Sequence, residues 1–316
     1  MSFPNDEAAF AAAAEPHRHE LRVHCYRMLG SFEEAEDLVQ ETFLRAWRRR
    51  ETFQGRSTFR AWLYRIATNA CLDALDKRPR KPAGGEVSWL QPFPDELLDE
   101  VPSDERGPDA ELVAKETIEL AFMVAIQHLP PRSRAVLIVR DVLGWSAKDT
   151  AALLDMSVAA ANSALQRARG ALQEHLPARR LEWSAGADPS ASERALVARY
   201  VEATERGDAQ ALAAMMAEDA RFTMPPEPGL YVGRDHIIST WVEGGFGTDA
   251  LGAFRCLPAH VNRQPAVACY VRRPGEDAFT ALSLDVLRLV DGEIADITTF
   301  NAATSFPPLG LPPVLP

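Results

Sequence analysis

In AEDLVQETFLRAWRRR the positions Ala35, Leu38, Val39, Thr42, Phe43 and Ala46 recur at intervals of three and four, which predicts a helix with one core-facing stripe. The same period runs through residues 7–80 and again through 109–181. At residue 192 the pattern changes. SERALVARYVEATERGDAQALAAMMAED reads as two helices broken at Gly207-Asp208, and ARFTMP, VACYVRR, FTALSLDVLRLV and EIADITTF read as strands. A helix near 234–243 follows the first strand, and Asp291-Gly292 between the last two is a two-residue hairpin signal.

Breaks in the pattern fall at RPRKPAGG (78–85), at a Pro-rich acidic stretch after it, and at SAGADPSAS (184–192). They divide the chain into a helical domain over 1–82, a linker over 83–118, a second helical domain over 119–183, a short linker over 184–191, an α+β domain over 192–304 and a tail over 305–316. The fold class is therefore multidomain, two all-α domains followed by one α+β domain. The tail, FPPLGLPPVLP, holds five prolines in eleven residues and no charge, so polyproline II packed through its apolar side chains is expected.

Composition adds little to this picture: 47% hydrophobic and 25% charged residues describe an ordinary globular chain. No run approaches the ~20 apolar residues that a membrane span needs. The N-terminus, MSFPNDEAAF, lacks the basic-then-apolar order of a signal peptide. Cys25, Cys71, Cys256 and Cys269 lie far apart with no CxxC pair, which suits a reducing cytoplasm and gives no disulfide or zinc framework. In HRHELRVHC, His17, His24 and Cys25 do not converge with zinc-like spacing, so neither a metal nor a cofactor is called for.

Charge changes the picture more. The net −11 partitions into +2 over 1–82, −8 over 83–118, +2 over 119–183 and −7 over 184–316. The negative charge belongs to the linker and the last third, leaving two weakly basic helical domains whose local patches decide what they bind.

Beside the apolar stripe of the first domain runs a second one, Asp37, Gln40, Glu41, Leu44, Arg45 and Arg48. By composition it fits a solvated face with i,i+4 ion pairs such as Glu41–Arg45. Next, FQGRSTFRAWLYRIATNACLDALDKRPRK places a Gly-Ser loop before a helix in which aromatics alternate with arginines. That mixture suits single-stranded DNA, with rings to stack bases and cations to follow phosphates. In the second domain IQHLPPRSRAVLIVRDVLGWSAKDTAALLDMSVAAANSALQRARGALQEHL reads as a helix-turn-helix. Ser146 and Ser157 are the caps, Val158, Ala161, Leu165, Ala168 and Leu172 face inward, and Asn162, Ser163, Gln166, Arg167 and Arg169 face outward.

HCYRMLGSFEEAEDLVQETFLRAW with FQGRSTFRAWLYRIATNACLD closely resembles region 2 of extracytoplasmic-function sigma factors of the sigma-70 family. The resemblance implies that Asp37, Gln40, Glu41 and Arg45 dock on the clamp helices of the largest subunit of RNA polymerase core. It implies also that the loop with Gly55 and Ser57 captures a flipped −10 base, with Arg60, Trp62, Arg65 and Asn69 nearby. LPPRSRAVLIVRDVLG…AALLDMSVAAANSALQRARGAL resembles region 4 of the same family, which reads promoter DNA at −35 and grips the polymerase β-flap. There Ser157, Asn162, Ser163, Gln166, Arg167 and Arg169 are the implied −35 contacts. Family members commonly carry Lys and Arg where Asn162 and Ala164 stand here, so phosphate attraction is reduced.

Residues 192–304 resemble the SnoaL-like branch of the NTF2-like α+β cone fold through ALVARYVEATERGDAQALAAMMAEDARFTMPP, YVGRDHI, NRQPAVACYV and DGEIADITTF. The fold implies an apolar cavity, for which Asp219, His236, Trp241, His260, Asn262, Tyr270 and Asp296 are candidate polar liners. No triad or paired-carboxylate spacing stands out, and regulation is expected in place of catalysis.

The linker carries one anomaly. WLQPFPDELLDEVPSD keeps Trp89, Leu90 and Phe93 among prolines and carboxylates, more apolar surface than a solvated tether needs. Docking of Trp89, Leu90 and Phe93 on the third domain is expected, an intramolecular contact that would bear on the spacing of regions 2 and 4. The leading expectation is a cytoplasmic sigma factor, not an enzyme, modulated by its SnoaL-like domain. Two other classes stay open: a helix-turn-helix regulator that never touches polymerase, and a ligand-sensing or enzymatic domain fused to DNA-binding modules.

Overall fold

The computed structural model describes residues 6–55, 57–78, 90–99, 118–176, 190–227 and 229–316. The chain divides into two compact units, one formed by 1–84 with 96–180 and the other by 85–95 with 181–316.

The first unit is helical: α1 (Glu7–Ala14), α2 (Arg18–Leu29), α3 (Phe32–Arg48), α4 (Phe59–Lys77), the single turn α5 (Glu96–Asp99), α6 (Leu120–Gln127), α7 (Pro131–Leu137), α8 (Ala147–Leu153) and α9 (Val158–His175). α7 runs on into a π turn over Ile138–Val142. Capping fixes most of the starts. Asp6, Ser31, Thr58, Ser146 and Ser157 each accept a hydrogen bond from the backbone N–H three residues on, meeting donors the helix cannot meet itself. The expected stripe of α3 buries Ala35, Val39, Thr42 and Ala46, while Leu38 and Phe43 are half-buried. In α9, Ala161, Leu165, Ala168 and Leu172 are buried as expected, together with Ala164. Val158 departs from that stripe at 44% exposure, because the first turn of α9 projects beyond the helices it packs on.

The end of α2 joins the helices into one body. Gly30, left-handed at φ 74°, closes the helix by donating its N–H to the Tyr26 carbonyl at 2.7 Å. The next three carbonyls find distant donors. Gln127 Nε2 reaches Arg27 O at 3.1 Å, an Arg134 nitrogen reaches Met28 O, and Arg78 reaches Leu29 O at 3.1 Å. Arg134 is 3% exposed and also donates to Gln127 Oε1 (2.5 Å), Gln127 O (2.9 Å) and Leu129 O (3.2 Å). A buried guanidinium shared among carbonyls is thus the pin between α2, α6 and α7.

His24 is buried beside this pin. Thr68 donates its hydroxyl to Tyr64 O at 2.7 Å, so at 2.9 Å it can only accept from His24 Nε2–H. Nδ1 has no hydrogen-bond partner among the described residues. The imidazole is therefore neutral, and burial, with Arg27 nearby, pushes its pKa down to about 3. Its place is structural, and among the described residues no three His, Cys, Asp or Glu side chains are placed to hold a metal.

The second unit is a curved sheet with helices on one face. α10 (Ala191–Glu205) and α11 (Ala209–Ala213) break at Gly207-Asp208, with Asp208 capping α11. The sheet order is β2-β1-β6-β5-β4-β3, all antiparallel except the β1–β6 pair. The strands are β1 (Met216–Thr223), β2 (Leu230–Val232), β3 (Ala253–Val261), β4 (Gln264–Arg272), β5 (Phe279–Val290) and β6 (Glu293–Asn301), and α12 (Arg234–Glu243) packs on β1. The Asp291-Gly292 hairpin forms as read, with positive φ at both residues and Val290 opposite Glu293. The core gathers Tyr200, Leu212, Met216, Phe222, Ile237 and Leu287 between helices and sheet.

The tail packs, but not as polyproline II. After α13 (Ala302–Ser305) and a 3-10 turn over Pro307–Leu309, β7 (Val314–Leu315) pairs with β5. Phe306 is buried with its ring 5.2 Å from that of Tyr270.

Two stability outcomes follow from the first unit. Below its unfolded pKa His24 protonates in the unfolded chain but stays neutral in the folded one, so acidification from pH 6.5 toward 3 favours unfolding. By pH 5 this should cost about 2 kcal/mol, and urea titrations of the full chain at pH 7 and pH 5 should show it shrink in His24→Gln. Arg134→Ala should cost about 3 kcal/mol or more in the same assay, and Arg134→Lys should restore little, since an ammonium lacks the fork that meets several carbonyls at once.

Candidate functional site

The polar stripe of α3 stands clear of the core. Asp37, Gln40 and Arg48 are exposed, as is Leu44, which leaves half its surface in water despite being apolar. Arg45 is held from two sides, by Glu41 at 2.7 Å and by Asp73 of α4 at 3.0 Å. The hydrogen bonds to Glu41 and Asp73 raise the Arg45 pKa, and that to Arg45 lowers the Glu41 carboxyl. The i,i+4 pair is therefore real, and it presents a fixed row of charge around Leu44.

The loop before α4 turns at Gly55, left-handed at φ 69° with open space where a Cβ would stand. Gly55, Ser57, Arg65 and Asn69 are exposed. Arg60 and Trp62 differ from that set. Arg60 is tied to Glu20 of α2 at 2.6 Å, and Trp62 is half-buried against Phe53 (5.4 Å) and Phe59 (5.7 Å). This aromatic cluster continues through Phe10 to Trp47 and supports the loop from beneath.

In the helix-turn-helix, Ser157 caps α9 by accepting from Ala160 N at 3.1 Å, and Asn162, Ser163, Gln166, Arg167 and Arg169 are exposed along one face. Arg169 makes a two-pronged pair with Asp141, at 2.7 and 2.8 Å, so it is positioned by the preceding π turn. Within this unit Arg65 of α4 approaches Asp155 of the turn at 3.9 Å, and Tyr64 packs on Trp145 with ring centres 5.5 Å apart.

In the second unit a segment of the linker lies on the β3–β4 hairpin. The hairpin turns on Asn262 and Arg263, both at positive φ (54° and 58°). Phe93 N donates to Asn262 Oδ1 at 2.7 Å, Asn262 N donates back to Phe93 O at 2.9 Å, and Arg263 N donates to Asp95 Oδ1 at 2.8 Å. Pro94 bridges to Val261. Leu90 and Phe93 are buried at 3% and 0% exposure, whereas Trp89 lies outside the described residues. Asn262, expected from the sequence among the cavity liners, is instead the residue the turn and the linker share. Its signal was Asn-Arg between two strand-like runs, since Asn adopts the left-handed region more readily than most residues.

A cavity of about 500 Å³ opens between the helices and the sheet of this unit. Of the expected liners Trp241 is there, against Phe222 at 5.3 Å. Asp219, His236, His260, Asn262, Tyr270 and Asp296 are not among the residues that line it. Asp219 is exposed on β1, His260 is exposed near the end of β3, and Tyr270, next in β4 to the cavity-lining Cys269, takes the opposite face by strand alternation, onto Phe306. Asp285 lines the cavity and was missed. It shares the inward alternation of β5 with Leu287, so an acid on an apolar face was the available signal.

The chain is similar to known proteins along nearly its whole length. Family models match for sigma-70 region 2 over residues 13–81, sigma-70 region 4 over 119–172 and the SnoaL-like domain over 197–297. The ECF RNA polymerase sigma factor SigG of Mycobacterium tuberculosis (strain ATCC 25618 / H37Rv) is 40% identical, with 98% of this chain and 86% of that protein covered. SigW of Bacillus subtilis (strain 168) is 30% identical over 54% of this chain and 90% of its own. The crystal structure of the Mycobacterium tuberculosis extracytoplasmic function sigma factor SigJ has a similar fold, with TM-score 0.61 at 22% identity, covering 96% of this chain and 99% of that one. Two sigma-70 regions joined to a SnoaL-like domain define the class. Within it, the chain belongs to the ECF RNA polymerase sigma factors, which are initiation factors and not enzymes.

The linker contact can be read at one amide. Asn262→Gly keeps the turn, because glycine accepts positive φ, but removes the acceptor of Phe93 N–H. Hydrogen exchange at the Phe93 amide should then quicken at least about tenfold, about 1.4 kcal/mol of lost protection, with the core of the sheet unchanged.

Proposed function

We propose that this sigma factor brings RNA polymerase core to promoters through Asp37, Gln40, Glu41 and Arg45, and that its SnoaL-like domain sets when it does so. Full-length identity of 40% to SigG carries the first half of this reading. The exposed row on α3 supports it, since charged residues around a half-exposed Leu44 suit a protein contact better than a purely solvated face. Gly55, Ser57, Arg65 and Asn69 form the −10 contact, backed by Arg60 and Trp62, whose buried halves anchor the loop. Ser157, Asn162, Ser163, Gln166, Arg167 and Arg169 form the −35 contact, with the β-flap as the partner of region 4. The protein works in the cytoplasm, where polymerase and promoter DNA are; among the described residues no helix is long and apolar enough to cross a membrane.

Distance supports the second half. Elements centred near −10 and −35 lie ~25 base pairs apart, or ~85 Å at 3.4 Å per pair. A compact body of ~170 residues has a radius of gyration of ~15 Å, so regions 2 and 4 packed in one unit do not reach both elements. The pin at the end of α2, with Arg65 beside Asp155, describes a closed form that opens before promoter recognition. The docked linker is the handle. Asp95 is held by the β3–β4 hairpin, and Glu96, next in the chain, begins the α5 turn that packs on α2.

Asp37→Arg is the cleanest test, because Asp37 is exposed and its replacement leaves the core intact. Affinity for purified core, measured by fluorescence titration, should fall at least tenfold, about 1.4 kcal/mol, with the melting midpoint unmoved. Unchanged core affinity together with retained duplex binding would assign the chain to the regulators that bind DNA without polymerase.

A further inference from the structure

The cavity of the second unit has walls and charge that do not match a neutral ligand. Its aromatic lining includes Tyr200, Phe222, Tyr231, Trp241, Phe246 and Phe254, from both helices and strands. Among the described residues, two carboxylates also line it, Asp285 and the exposed Glu227, and no Lys, Arg or His does.

Asp285 sits deep, and everything around it is a donor. Tyr200 donates at 3.0 Å, Thr299 at 2.7 Å, Ser283 at 3.4 Å and the Cys269 thiol at 3.5 Å. Burial raises its pKa, and these four bonds pull it back toward the ionised form. They occupy the carboxylate's lone pairs, so a ligand that needed an acceptor would have to displace one of them. None of them supplies positive charge. On the same sheet Arg288 pairs with Asp296, and Arg221 lies 3.9 Å from it, so the basic residues there are committed elsewhere. Burial still leaves the Asp285 pKa raised on balance; when ionised in its box of aromatic faces, the carboxylate lacks only a counter-charge that asks for no hydrogen bond.

We propose that this cavity binds an organic cation, a quaternary ammonium on an apolar body, with the ammonium held by Asp285 and the ring faces and the body lying along Phe222, Trp241 and Phe254. Ring quadrupoles attract such a cation through their faces, and attraction is strongest where water is excluded. Glu227 stands where the cavity meets solvent and adds long-range attraction for positive charge. This inference goes beyond promoter recruitment and is independent of it, since binding is measured on the full chain without polymerase or DNA.

The probe is the (1-naphthylmethyl)trimethylammonium ion, set against its neutral carbon isostere, 1-neopentylnaphthalene, by equilibrium dialysis with the full-length chain. The cation should bind at least tenfold tighter than the isostere. Asp285→Asn should remove most of that gap, Glu227→Gln should weaken the cation two- to fivefold, and Trp241→Leu should weaken the cation more than the isostere. Equal binding of the two probes overturns the proposal, as does absence of cation binding at millimolar probe, or a folded Asp285→Asn chain that holds the cation unchanged. Should Asp285→Asn fail to fold, the two probes on the unaltered chain still decide.

Discussion

Three carbonyl oxygens at the end of α2 hold the first unit together. A helix leaves its last carbonyls without internal partners and concentrates the negative end of its dipole there. In most helices water meets this need. Here the end is buried, so Arg27 O, Met28 O and Leu29 O take donors 100, 106 and 49 residues distant in sequence. The donors are chosen for the field as well as the geometry, since two of the three are guanidinium groups facing a negative helix end. Removing Arg134 from water is costly, and only several carbonyls acting together offset it. The contact is thus strong when complete and weak when any member withdraws.

The second unit uses the same currency at another place. A hairpin turn also exposes backbone groups, and Asn262 and Arg263 present two N–H groups and one amide oxygen outward in left-handed geometry. The linker meets all three through Phe93 and Asp95. Apolar burial of Leu90 and Phe93 gives this contact strength, while the hydrogen bonds fix its register, since a shift by one residue would turn Phe93 out of its pocket. The apolar character of Leu90 and Phe93 has its explanation here, in a linker segment that is buried and hydrogen-bonded at the turn and bridged to Val261 through Pro94.

Periodic elements were legible from sequence, and relations between distant polar groups were not. The α3 stripe, the serine and threonine caps, the Gly207-Asp208 break and the Asp291-Gly292 hairpin follow from local rules that need no tertiary context. Gln127 and Arg134 gave no such signal, because a buried arginine looks like a surface one until its carbonyl partners are located. The cavity failed for a related reason. Residue type alone does not tell which polar residues of a strand line a cavity, since the alternation of the strand decides which face each takes, as Cys269 and Tyr270 show. Asp285 was hidden among FTALSLDVLRLV, where its parity with Leu287 mattered more than its company. Trp241 succeeded because a tryptophan on the short helix beside β1 has only the sheet to cover.

Magnitudes argue that the docked linker is reversible. Burying Leu90 and Phe93 contributes about 1.5–3 kcal/mol each, and the three hydrogen bonds add about 1 kcal/mol apiece. Ordering the six residues 90–95 costs about 1–2 kcal/mol per residue, which brings the balance close to zero. A contact so balanced responds to small inputs: a preference of about 1.4 kcal/mol for one state shifts its population tenfold. The cavity shares two strands with the turn that holds the linker. Phe254 and Cys269, which line it, lie on β3 and β4, the two strands whose shared turn holds Phe93. A molecule that favours one spacing of those strands favours one geometry of the turn, and the turn either meets the linker with both N–H groups or does not. If occupancy of the cavity shifts docking of the linker, docking shifts the affinity of the cavity by the same factor.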